Sequence, residues 1–154
     1  MRYLSPSLIL FLLISFICMA DVPVEEVDRD KVLSAGPGWK ENYDNCKPDP
    51  AQIEALKSRL GDVRIDIYLG LWCPDSRNNV PPFVKIIEAT GLSVPVRFFA
   101  VQRKPGKEVR YYSDRFDVEK VPTFIFYRDG REIGRIVENP KAGLLEDTIK
   151  ILSE

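Results

Sequence analysis

Val63-Arg64-Ile65-Asp66-Ile67-Tyr68-Leu69 runs directly into Gly70-Leu71-Trp72-Cys73-Pro74-Asp75-Ser76-Arg77. In the first half, Val63, Ile65, Ile67 and Leu69 alternate with Arg64, Asp66 and Tyr68, the period of two that marks a strand, and Gly70 ends it. Residues 77–90 then carry Val80, Phe83, Val84, Ile86 and Ile87 at helical spacing and stop at Gly91. Pro81 and Pro82 fall inside that run and predict a kink. The order strand, cysteine, helix delivers a thiol to a helix start, and the rest of the chain is read outward from it.

Downstream, Val94 to Val101 is β-branched and aromatic and predicts a second strand, and Lys107 to Phe116 predicts a short helix after Pro105-Gly106. Thr123 to Tyr127 predicts a third strand, turned by Arg128-Asp129-Gly130-Arg131 into a fourth over Glu132 to Val137. A last helix over Lys141 to Leu152 carries Leu144, Leu145, Thr148, Ile149 and Leu152 on one face. Phe98, Phe99, Phe124 and Phe126 read as core residues of these strands. Upstream, Asp49 caps a helix over 50–60 that starts at Pro50, carries Ile53, Leu56 and Leu60, and stops at Gly61. Residues 21–48 show little periodicity and a Gly36-Pro37-Gly38 breaker, so an extended lead-in is expected, with Trp39 and Tyr43 placed to pin it to the core. The expected organisation is one α/β domain over 49–154.

The first twenty residues differ in kind. Arg2 gives a positive start, Leu8 to Met19 is almost wholly apolar, and Cys18-Met19-Ala20 ends the run with small residues spaced for cleavage before Asp21. Residues 1–20 therefore read as a signal peptide for export to a periplasmic or secreted location. The apolar run is shorter than the roughly 20 residues a membrane span needs, though retention as an anchor through residues 4–20 is the competing reading. Cleavage removes Arg2 and Cys18, which leaves Cys46 and Cys73 in a compartment where glutathione does not fix the state of a thiol.

Composition removes several classes of function. The 22 basic and 23 acidic residues give a net charge of −1 with no basic run, so neither nucleic acid nor an anionic membrane surface is an expected partner, and a monomer is expected. Histidine is absent, which excludes histidine-based triads and histidine-ligated metals, and two cysteines do not make a zinc site, so no metal or other cofactor is expected. Thiol chemistry remains, with protein or low-molecular-weight thiols and disulfides as partners.

Over residues 50–153 the chain resembles thioredoxin. The likeness rests on Trp72-Cys73 between a strand and a helix, on basic Arg77, on Pro81 eight residues after the cysteine, on Val121-Pro122-Thr123 before a strand, and on Asp129-Gly130. It implies the thioredoxin fold, a central mixed sheet of about four strands flanked by helices on both faces. It also implies a cis peptide before Pro122, with Trp72, Pro74, Val121 and Pro122 forming the surface that receives a substrate. A cysteine at a helix N-terminus gains from unpaired N–H groups and the macrodipole, which favour the nucleophilic thiolate. Arg77 adds positive potential, and Asp75 opposes it or serves as a helix-start acid.

Two positions depart from the family pattern. The second cysteine of CxxC, which resolves a mixed disulfide, is Ser76 here, a group able to hydrogen-bond a thiolate but not to attack a disulfide. The family's buried carboxylate is replaced by Ile67, and Asp66 faces the other side of the strand. Cys46 is the candidate resolver within the chain. A helix over 50–60 would cover about 16 Å of a strand about 23 Å long, and residues 45–48 would close part of the gap. The open alternatives are a Cys46–Cys73 bridge, a free Cys46 and an intermolecular pair. Three functions stay in view: monothiol exchange through Cys73, resolved by Cys46 or an external thiol; a non-catalytic binding or chaperone-like module; and a structural domain closed by a disulfide.

Overall fold

The computed structural model describes residues 24–103 and 117–154. The chain forms β1 (Val24–Val27), α1 (Arg29–Leu33), α2 (Trp39–Asn45), α3 (Pro50–Lys57), β2 (Val63–Leu69), α4 (Pro74–Ala89), β3 (Val96–Val101), β4 (Thr123–Arg128), β5 (Arg131–Val137) and α5 (Leu144–Ser153). The helix expected over Lys107–Phe116 and the leader over 1–20 lie outside the described residues.

The five strands make one mixed sheet in the order β1-β3-β2-β4-β5. β2 runs parallel to β3, with Ile65 beside Val96 and Leu69 beside Ala100, and antiparallel to β4, with Ile67 beside Phe124. β4 and β5 form a hairpin whose two-residue turn places Asp129 and Gly130 at φ 51° and 74°, the left-handed pair that matches the twist of the flanking strands.

The sheet has five strands rather than about four because the N-terminal segment is folded. The extended lead-in expected over 21–48 is corrected: Val24–Val27 pairs antiparallel with β3, and two short helices follow. These elements escape a periodicity search because each is short and polar. β1 is an edge strand that carries Glu25 and Glu26, and α2 buries only Trp39 fully.

All five described helices feed one apolar cluster with Ile65, Ile67, Leu69, Phe98, Phe124 and Phe126 from the sheet. Phe83 of α4 lies fully buried between Phe124 and Phe126, with ring centroids 4.8 and 6.1 Å away. The opposite sheet face carries a smaller cluster of Tyr68, Cys73, Val101, Val118, Val121 and Ile125. Phe99 belongs to that second face, stacked on Tyr68 at 4.9 Å, rather than to the main core as expected. Because β2 is central and both faces are occupied, Asp66 and Tyr68 are buried too, although the sequence alternation leaves them on a polar face. Asp66 is 3% exposed and is held by Arg97 in a two-pronged contact of 2.9 and 2.6 Å. This pairing offsets the cost of burying the carboxylate.

Candidate functional site

β2 ends at Leu69, and the next few residues turn through Gly70, whose carbonyl accepts the Cys73 N–H at 2.9 Å. Cys73 is the N-cap of α4, and Pro74 takes the first helical position, where a missing N–H costs nothing. The Cys73 carbonyl accepts the Arg77 N–H at 3.0 Å, which closes the first turn. The N–H groups of Asp75 and Ser76, at the second and third helical positions, have no partner within the helix by geometry and lie at the positive end of its dipole.

Cys73 is 7% exposed, and its thiol donates to the Val121 carbonyl at 3.4 Å. The Val121–Pro122 peptide is cis. Trp72 is 39% exposed, with its indole N–H anchored on the Val101 carbonyl at 3.0 Å and the Arg103 guanidinium 5.5 Å from its ring. Gly70 makes this arrangement possible, since a Cβ there would lie 2.9 Å from Trp72 Cε2 and 3.1 Å from Cys73 Cβ. The Pro122 side is tied to the helix: Pro122 accepts the Glu138 N–H at 2.7 Å, and Asn79 donates to the Glu138 carbonyl at 3.1 Å. Tyr68, in the second cluster with Cys73, has its hydroxyl pushed up to about 12, first by burial and then by the Asp66 carboxylate.

The other expected residues divide into those beside the thiol and those apart from it. Asp75 is half-buried in the first turn of α4, Pro74 and Arg77 are exposed, and the Arg77 side chain passes over Gly38. Ser76 is fully buried, and its hydroxyl accepts the Gly70 N–H at 3.1 Å, so it fastens the end of β2 to α4. Ile67 lies in the main core, with Asp66 on the other face, as the strand's alternation requires.

Cys46 is not brought to Cys73. Both cysteines are free thiols. Cys46 caps the C-terminus of α2 and donates to the Pro82 carbonyl at 3.7 Å, two and a half turns, or about 13 Å, along α4 from Cys73. The reach argument fails because α3 ends at Lys57 and is only about 12 Å long, against a strand of about 23 Å. Burial pushes the Cys46 thiol up, and the charge of Lys85 only partly opposes it.

Sequence reasoning overlooked Val101, Gly70 and Asn42. The first two leave no sequence signal beyond their place at strand ends. Asn42 had one: Pro81 lacks the N–H that a helix would offer to the Arg77 carbonyl, and some donor must replace it.

A family model for thioredoxin matches residues 25–145, most of the chain and all of the site. The chain belongs to the thioredoxin family. The match takes in α1, α2 and all but the first residue of β1, the elements of the folded N-terminal segment. Among solved structures, the chain is similar to a protein of unknown function from Pseudomonas aeruginosa. That likeness has 15% identity and a TM-score of 0.62, and it covers 83% of this chain and 92% of that one. It is also similar to thioredoxin from Aeropyrum pernix, at 23% identity and a TM-score of 0.39, over 64% of this chain and 82% of that one. No curated protein matches it in sequence. The thioredoxin fold supports thiol-disulfide exchange as the general class of activity.

Proposed function

We propose that this protein is an exported monothiol exchange protein acting through Cys73. The observation that carries the reading is the seat of that sulfur: at the N-cap of α4, beside exposed Trp72 and on the Val121 carbonyl. The Cys73 thiolate attacks one sulfur of a disulfide, forms a mixed disulfide and expels the other half as a thiolate, which takes up a proton. A thiolate from outside the chain then attacks the mixed disulfide and returns Cys73 to its reduced form. Ser76 turned to Gly70 and Cys46 lodged at Pro82 both support an external resolving thiol. The leader pattern over residues 1–20 supports export, and among the described residues no helix is long and apolar enough to cross a membrane.

The mature domain, residues 21–154, is expected to react with a thiol probe faster than a model thiol at mildly acidic pH. Cys73→Ser is expected to lose both that reaction and disulfide reduction. Sluggish alkylation together with unchanged activity in the variant overturns the exchange reading. The burial of the sulfur favours the second reading, a binding module in which Cys73 packs. Under it, wild type and Cys73→Ser bind a partner equally well and neither reduces a disulfide. Intact mass of the exported protein tests the leader, with a chain starting at Asp21 as the expected result.

A further inference from the structure

We infer that Asn42, on α2, is a positioning residue for Cys73, acting through the backbone of Arg77; the inference rests on Cys73 being the reactive thiol. Pro81 and Pro82 interrupt the hydrogen-bond ladder of α4, because neither offers an N–H to the residue four before it. The Arg77 and Asn78 carbonyls therefore lose their helical partners, and the first two turns, which carry Cys73 at their tip, are joined to the rest of α4 through a weakened ladder. Asn42 Nδ2 donates to the Arg77 carbonyl at 2.9 Å and fills the gap left by Pro81.

That contact is one of several from the same segment. Gly38, at φ 87°, lets the Arg77 side chain lie against the start of α2, where a Cβ would be 3.2 Å from Arg77 Cδ. Trp39 is buried one turn before Tyr43, whose hydroxyl bonds Glu88 together with Arg29. The α1–α2 segment thus grips the far half of α4 at Glu88 and the near half at Arg77. Arg77 is also the residue whose N–H bonds the Cys73 carbonyl, so a single residue links Asn42 to the turn on which the thiol sits. By fixing the tilt of the near half, Asn42 fixes the direction of the Asp75 and Ser76 N–H groups relative to Cys73.

The test titrates Cys73 in a Cys46→Ser background, by iodoacetamide alkylation rate from pH 4 to 9, with thermal melting measured in parallel. Asp75, Arg77, Tyr68 and Arg103 are left untouched. Asn42→Ala is expected to raise the titration midpoint by about half a pH unit, with alkylation below the midpoint roughly threefold slower. Adding Pro81→Ala restores an N–H opposite the Arg77 carbonyl, and the effect of Asn42→Ala is expected to disappear in that background. A profile that superimposes on wild type while the melting temperature falls overturns the inference, since Asn42 is then only structural. An Asn42 effect of the same size with Ala at 81 also overturns it. A wild-type Cys73 no faster than a model thiol overturns the exchange reading instead, while the Asn42-dependence of the midpoint is still measured.

Discussion

Cys73 and Cys46 are the same chemical group at opposite ends of helices. Each donates to a backbone carbonyl, Val121 for one and Pro82 for the other, and each lies against α4. Cys73 begins a sixteen-residue helix, where the dipole and first-turn N–H groups without helical partners favour negative charge. Cys46 ends a seven-residue helix, whose carbonyls point toward it, and burial raises its thiol against the charge of Lys85. Backbone direction therefore sets one thiol at the positive end of a helix and the other at a negative end.

The largest test of the contrast removes the first thiol. Cys73→Ser is expected to abolish the fast alkylation and every mixed disulfide, read by intact mass after exposure to an oxidised small-molecule disulfide. A fast-reacting thiol that survives in this variant would reassign the nucleophile to Cys46.

Next in size are the changes at the seat of Cys73. Gly70→Ala drives a methyl into Trp72 and Cys73 and is expected to cost ~1–3 kcal/mol in urea unfolding, with a shifted tryptophan emission. Ser76→Ala leaves the buried Gly70 N–H without its acceptor, and a loss of about 1–3 kcal/mol is expected in the same measurement. A neutral result for Ser76→Ala would mean that the hydroxyl does not fasten β2 to α4.

A smaller effect tests the grip of the N-terminal segment. Burial pushes the Glu88 carboxyl up, but hydrogen bonds from Arg29 and Tyr43 outweigh it and hold the group below its ordinary value. With the folded value below the unfolded one, the stabilisation is present at neutral pH and is lost as pH falls through the ordinary carboxylate range and below. Glu88→Gln is expected to flatten that acid limb of the stability curve by less than about 1 kcal/mol, since the group is partly exposed. Smallest of all, Cys46→Ser is expected to leave the Cys73 alkylation profile unchanged, and any shift of it would reinstate Cys46 as a partner.

Much of the layout around Cys73 is legible in the sequence. The alternation over Val63–Leu69, the glycine stop, the helical stripe from Val80 to Ile87 and the Asp129-Gly130 turn are local signals with local causes, and the elements follow them. What the sequence hides is decided by tertiary partners. β1 is a strand because β3 offers it an edge, and α2 is a helix with Trp39, Tyr43 and Cys46 spaced along the side that meets α4. That spacing of four and three was visible in the sequence, but the polar residues between diluted it. The distance from Cys46 to Cys73 was misjudged for a similar reason, because a helix end fixed by Ser58 rather than Gly61 shortens the span.

Ser76 carries one more consequence. A dithiol motif contains its own clock, since the second sulfur limits how long any captured partner stays bound. Here that position is filled by a hydroxyl committed to Gly70. On the proposed chemistry, the lifetime of a disulfide at Cys73 is then written by the solution: long where thiols are scarce, short where they are abundant, with the protein keeping a covalent record of the difference.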